Sequence, residues 1–198
     1  MFLSQIAITH RQRSNPYHWH RDLWKLFDAP DEKRSFLFQL EQTSPSRSQL
    51  IMLSALEPTP TETDIRVLQK KGFDYRLCSN QKLGFRLCAN PVKTIKDERK
   101  RLNNKNQIKS CRVPLIKEEQ QIEWLEKRIN PVAKLHETII QGKNNIHFRK
   151  NGRAGKIAQV TYEGLLEVTN ADGFIQLIQN GIGPAKAFGC GLMLVRRI

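Results

Sequence analysis

Tyr17 and His20 stand one helical turn apart in NPYHWH, residues 15–20, and bring a phenol and an imidazole to the start of a predicted helix. A helix N-terminus attracts anions and disfavours imidazolium, so a histidine there can stay neutral and accept a proton from a hydroxyl. A phosphate docked beside it pushes the other way. A histidine next to an aromatic stripe is more often a packed residue, and spacing alone leaves both roles open. His18 falls with Asp22 and Lys25 on the polar face and is read as surface. No Asp/Glu pair or His/Cys cluster has metal-site spacing, so neither a metal nor a cofactor is expected, and any cleavage would run without metal.

A second chemical feature is GIGPAKAFGCG, with glycines at 181, 183, 189 and 191 and Lys186 between them. Glycines let backbone N–H groups approach a phosphate closely, and a nearby lysine adds countercharge. A tight helix-to-strand connection also uses glycine, though one or two suffice. The spacing is neither that of a nucleotide-phosphate loop nor that of a dinucleotide fingerprint, so a nucleotide cofactor is not expected and a backbone clamp on RNA fits better.

The third feature is electrostatic. Between Lys93 and Lys117 stand Lys93, Lys96, Arg99, Lys100, Arg101, Lys105, Lys109, Arg112 and Lys117 against Asp97 and Glu98, a net +7 of the chain's +14. Charges this dense repel one another and gain nothing from a core, so they suit either a solvated linker or a polyanion partner. A pI of 9.9 favours nucleic acid.

The elements that must position these groups follow from the rest of the chain. At 198 residues and 39% hydrophobic content, it can bury one sizeable core or two small ones. Cys78, Cys88, Cys111 and Cys190 lack CxxC spacing and are read as reduced thiols. No run approaches 18 apolar residues and no leader pattern opens the chain, so a soluble cytoplasmic protein is expected. Phe2 to Thr9 reads as a strand. Asn15-Pro16 supplies an N-cap and a proline at the first helical position, opening a helix with Trp19, Leu23 and Leu26 on one stripe. Residues 35–42 and 49–56 read as strands around a Ser-Pro-Ser turn, 62–71 as a short helix, and 84–89 as a strand. That order is β-α-β-β-α-β, the ferredoxin-like arrangement of RNA-recognition modules. Beyond the basic segment, a helix over 117–129, strands over 145–149 and 158–168, a helix over 172–179 and a strand over 191–196 repeat it. The expected fold is α+β: tandem ferredoxin-like, RRM-like domains with antiparallel sheets. An N-terminal domain would span 1–90, and the basic segment with a C-terminal domain would span 91–198.

NPYHWH (15–20), FRLCANPVKT (85–94), KSCRVPLIKE (109–118), GKIAQVTYEG (155–164) and GIGPAKAFGCG (181–191) together resemble the CasE family of CRISPR-associated endoribonucleases, the crRNA-processing subunits of type I-E Cascade. Residues 57–80 and 130–150 match least, and Cys88 stands where the family carries arginine. The resemblance implies two ferredoxin-like domains, metal-independent cleavage of CRISPR repeat RNA at the base of a stem-loop, and retention on the 3′ hairpin of the crRNA among the other Cascade subunits. It implies His20 as the catalytic histidine and Tyr17 as its partner. The RNA contacts expected are Lys93, Lys96, Arg99, Lys100, Arg101, Lys105, Lys109 and Arg112 of the basic segment, Lys156 in GKIAQVTYEG, and Gly181, Gly183, Lys186, Gly189 and Gly191. The reaction would be attack of a 2′-hydroxyl, leaving a 2′,3′-cyclic phosphate; whether His20 serves as base or acid stays open. The alternative is a non-catalytic tandem RRM-like module that holds structured RNA in a ribonucleoprotein. KLGFR supports that reading weakly, since only Phe85 supplies a stacking aromatic. A DNA-binding regulator is disfavoured because no helix-turn-helix with a basic second helix is present.

Overall fold

The computed structural model describes residues 1–9, 15–27, 35–44, 46–59, 64–102, 104 and 106–198. Among these, two four-stranded antiparallel sheets and one two-stranded ribbon carry the architecture. The first sheet contains β1 (Phe2–Thr9), β2 (Phe36–Thr43), β3 (Arg47–Ser54) and β4 (Ile65–Gly72), in the order β2-β3-β1-β4, with α1 (Pro16–Trp24) packed on one face. The face follows from alternation: Ile6 and Ile8 of β1 and Phe36 and Phe38 of β2 meet Trp19, Leu23 and Leu26 in one buried cluster. Leu23 and Leu26 are fully buried, so truncating either to alanine should cost about 2–5 kcal/mol.

The second sheet contains β5 (Lys82–Ala89), β8 (Ala133–Lys150), β9 (Arg153–Val168) and β10 (Met193–Arg197), in the order β10-β5-β9-β8. Helices α2 (Glu118–Ile129) and α3 (Ala171–Asn180) cover its inner face, where Leu83, Phe85 and Leu87 meet Trp124, Leu125 and Phe174. Leu37 and Leu53 of the first sheet join this second core, which ties the two halves together. Both sheets show the ferredoxin-like strand order, so the fold is the expected tandem α+β arrangement.

Three assignments differ from the sequence reading. The described part of 62–71 is the edge strand β4, not a helix. Ile65 and Val67 pair with Ile8 and Ile6 of β1 and face the core, a period-two pattern that completes hydrogen bonding along β1. With that edge occupied, GFRLCA opens the second sheet instead of closing the first. β5 pairs with β10 and β9, so the change of sheet falls between Gly72 and Lys82, ahead of the expected division after residue 90. The two short strands expected at 145–149 and 158–168 belong to one long hairpin, β8–β9, the first near its tip and the second running down to its base, with a ladder from the pair Ala133 and Val168 to the pair Lys150 and Arg153.

The basic segment is neither a helix nor an unstructured linker over its described residues. It forms a ribbon of β6 (Val92–Lys96) against β7 (Ser110–Pro114), inserted between β5 and α2. Its base is fixed from two sides: Leu115 N donates to Pro91 O at 3.0 Å, and the buried Gln121 Nε2 donates to Leu115 O at 2.7 Å.

Candidate cleavage site and nucleic-acid interface

The start of α1 is built by its N-cap. Asn15 Oδ1 accepts from Tyr17 N at 3.2 Å and also from Arg149 N at 3.3 Å, while its Nδ2 donates to Arg149 O at 2.7 Å. One amide therefore caps the helix and docks the tip of the β8–β9 hairpin against it. In that hairpin Ile146, Phe148 and Lys150 alternate onto the face toward α1. Ile146 enters the first core, the Phe148 ring stacks on Tyr17 at 6.3 Å and 17°, and Lys150 Nζ lies 5.2 Å from the centre of the Tyr17 ring.

The Tyr17 phenol is thus flanked by an aromatic wall and a cation. Phe188, from the glycine loop, completes the wall, 6.4 Å from Tyr17 and 4.6 Å from Phe148. His20, one turn further along α1, is half-buried with its ring 5.3 Å from Phe36 and 6.1 Å from Trp24. His18 is half-buried too, not a surface residue: its ring meets Tyr17 edge-on at 5.7 Å.

The glycine loop serves the fold as well as any ligand. All four glycines have positive φ, between 75° and 94°. At Gly183 a Cβ would meet the Trp124 ring at 2.6 Å, and at Gly181 it would meet Leu37 at 2.8 Å. The requirement for glycine there is already met by the protein's own packing. The Lys186 ammonium donates to Asn180 O at the last turn of α3, a favourable place for a cation. Gln159 Nε2 holds the loop by donating to Phe188 O at 3.2 Å.

Along the ribbon, Lys96 and Arg112 lie on one face with Thr94, while Lys93 lies on the other, all three cations exposed, and the exposed Lys109 directly precedes β7. Cations on both faces can neutralise phosphates of two strands at once. At the tip Asp97 accepts from Arg99 N at 3.2 Å and from Arg101 Nε at 2.5 Å; the Arg101 guanidinium holds that carboxyl below the usual carboxylate range. Arg101 is therefore partly spent within the arm, whereas Lys100 and Arg99 are exposed and Lys105 lies outside the described residues.

Two clefts connect the ribbon to α1. One of about 260 Å³ is lined by Leu115, Ile116, Lys143 and Lys156, the other of about 550 Å³ by Pro16, Trp19 and His147, and both share Asn144, Asn145 and Gln159. Lys156 thus lines the cleft at the base of the ribbon, which adjoins the cleft at the start of α1. Tyr17 and His20 come from one helix, as their spacing required; Phe148, Lys150, Phe188, Gln159 and the docking role of Asn15 were missed. The alternation of NIHFRK was visible in the sequence, but not which surface it would meet.

Among the described residues no helix is long and apolar enough to cross a membrane, and no three His, Cys, Asp or Glu side chains gather in metal-holding reach.

Paired ferredoxin-like sheets, an inserted basic ribbon and a first helix bearing Tyr and His define the class: a tandem ferredoxin-like α+β protein. The family described as "CRISPR associated protein" matches residues 1–197. The chain is 40% identical over 195 residues to the CRISPR system Cascade subunit CasE of Escherichia coli K12, covering 98% of each. Its fold superposes on the crystal structure of the CRISPR-associated protein Cas6e from Escherichia coli K-12 with a TM-score of 0.86, at 38% identity and full coverage of both chains. It also superposes on the CRISPR endoribonuclease Cse3 bound to a 19 nt RNA, with a TM-score of 0.79 at 28% identity, covering 99% of this chain and 100% of that one. This chain belongs to the CRISPR-associated protein family that includes CasE.

Proposed function

We propose that this protein is an endoribonuclease that cuts CRISPR repeat RNA at the base of a stem-loop and remains on the 3′ hairpin of the crRNA as a Cascade subunit. The observation that carries the reading is the pair of adjoining clefts that lead from the base of a ribbon with cations on both faces, past Lys156, to Pro16 and Trp19 at the start of α1, the helix that bears Tyr17 and His20. The relatives support it: one is named a Cascade subunit, and another is named an endoribonuclease and was solved with RNA.

In this reaction the 2′-hydroxyl upstream of the scissile phosphate attacks phosphorus, and the 5′-oxygen leaves, giving a 2′,3′-cyclic phosphate and a 5′-hydroxyl. His20 moves a proton, either from the attacking hydroxyl or to the leaving oxygen. Tyr17 orients the ribose, its ring held by Phe148 and Phe188. Lys150, beside that ring, supplies positive charge where the phosphorane develops its negative charge. Stem phosphates dock on Lys93, Lys96, Arg99, Lys100, Lys109 and Arg112, with Lys105 and Arg101 completing the arm. The glycine loop presents its backbone and Lys186 at the far wall. No step calls for a metal.

A labelled repeat hairpin incubated in EDTA tests this reading. Wild type should cut it and leave a cyclic-phosphate end, and His20→Ala should lose at least about 10² in rate while binding the hairpin as before. If the RNA stays intact, or if cutting requires magnesium, the metal-independent mechanism is wrong. Tight binding without cutting would favour the non-catalytic RNA-holding alternative.

A further inference from the structure

Two of the four cysteines are not isolated. Cys88 on β5 and Cys190 between the last two glycines of the loop are both buried, 6% and 0% exposed, while Cys78 and Cys111 are exposed. The backbones flanking the buried pair are already joined: Gly191 N donates to Cys88 O at 2.7 Å. The two thiols are hydrogen-bonded to each other, and the Cys190 sulfur also accepts from Gln159 Nε2 at 3.3 Å. Disulfides bridge Cα atoms roughly 4.4–6.8 Å apart, and the bond from Gly191 N to Cys88 O brings the two chain segments side by side.

We propose that Cys88 and Cys190 form a reversible disulfide that pins the glycine loop to β5 and switches off RNA cleavage, a thiol modification site driven by peroxide. The pair divides the labour that such a reaction needs. The hydrogen bond from the Cys190 thiol, assisted by the Thr161 hydroxyl and the Arg86 charge, holds Cys88 below the ordinary thiol range even though burial works against it. The same hydrogen bond and burial push Cys190 well above that range. Cys88 is the nucleophile and Cys190 the resolving thiol.

The step balances as follows. Cys88 thiolate attacks one peroxide oxygen, the O–O bond breaks, and hydroxide leaves to become water after protonation, giving a sulfenic acid. The Cys190 sulfur then attacks the Cys88 sulfur, the S–O bond breaks, and hydroxide leaves as the second water with the Cys190 proton. Two thiols are oxidised by two electrons and one peroxide is reduced to two waters. A dithiol reductant reverses the bond by exchange.

Closure acts on the site through Gln159 and Phe188. An S–S bond of about 2.0 Å is far shorter than a hydrogen-bonded contact between two thiols, so closure moves Cys190 toward Cys88 and changes its contact with the Gln159 amide. That amide also holds Phe188 O, and the Phe188 ring forms part of the wall around Tyr17. The effect on cleavage rests on the endoribonuclease reading; formation of the bond does not.

The full chain is treated with hydrogen peroxide, alkylated and mapped by mass spectrometry, in parallel with hairpin cleavage and hydrogen exchange over residues 181–191. The expected result is a linked Cys88–Cys190 peptide pair two hydrogens lighter than the free thiols, reversed by dithiothreitol. Loop exchange should slow, and cleavage should fall by about 10²-fold, the cost of misplacing an active-site group by an ångström. Cys88→Ser, melting as wild type does, should cut equally with and without peroxide. Free thiols at 88 and 190 once Cys78 and Cys111 have reacted would overturn the proposal, as would a linked protein that cuts at the reduced rate. If even the reduced wild type fails to cut, the endoribonuclease reading falls. The peptide map and loop exchange then decide: a linked, slowed loop supports the clamp, and an unlinked or unslowed one rejects it.

Discussion

Asn15 and Arg149 stand 134 positions apart in the chain and exchange two hydrogen bonds, with the asparagine amide donating to one backbone group of the arginine and accepting from the other. The same Asn15 oxygen caps α1 through Tyr17 N. Replacing Asn15 with alanine removes all three bonds, whereas aspartate keeps the acceptor and loses only the donor to Arg149 O. Asn15→Ala should cost about 1–2 kcal/mol in urea unfolding, and Asn15→Asp less. Cleavage should fall in both, because Phe148 and Lys150 are aligned with Tyr17 through this joint. An alanine variant as stable as wild type would show that the hairpin is held elsewhere.

Lys150 offers a sharper test of the chemistry. Its ammonium lies 5.2 Å from the centre of the Tyr17 ring, and Lys150 lines neither of the two adjoining clefts between the ribbon and α1. Lys150→Ala should lower the single-turnover cleavage rate by about 10²-fold, the scale of removing one group that stabilises transition-state charge, with hairpin affinity changed little. A loss of affinity matching the loss of rate would make Lys150 an ordinary phosphate contact.

The arm should govern the salt dependence of binding. Each phosphate neutralised contributes about 0.7–0.9 to the slope of log affinity against log salt, so the double replacement of Lys96 and Arg112 by alanine should flatten that slope by roughly 1.5. Arg101→Ala should flatten it less, since Asp97 already opposes that charge. Asp97 has a depressed pKa, so its contribution to the tip is present above the unfolded value of about 3.9 and is lost as pH falls through the lower folded value. Binding measured from pH 6 to pH 8 should therefore show no step from this pair.

Gly183 separates the two uses of the glycine loop. Valine there must take φ near +80° and drive its Cβ into the Trp124 ring, a clash with the buried face of α2. Gly183→Val should lower the thermal midpoint as well as hairpin binding. A variant that keeps the wild-type midpoint while losing the hairpin would assign Gly183 to RNA alone.

The helices were legible in the sequence because their signals are local. Asn15 and Pro16 fix the start of α1, the three- and four-residue spacing of Trp19, Leu23 and Leu26 sets its buried face, and Tyr17 and His20 share its first turns by helical geometry alone. The charge of the arm and the positions of the glycines were equally plain. Strand partners were not, because a strand's identity depends on which distant backbone completes its hydrogen bonds. GFRLCA could have closed the first sheet; Ile65 and Val67, taking the free edge of β1, sent it to the second. The 62–71 stretch carries too few apolar residues for its alternation to outweigh a helical reading until that edge is in view. The Tyr17 surroundings have the same origin: Phe148, Lys150 and Phe188 reach it only because the long β8–β9 hairpin folds back over α1 and the glycine loop packs against the first sheet. The sequence determined which side chains could bind RNA and move protons; long-range pairing of strands decided which of them meet.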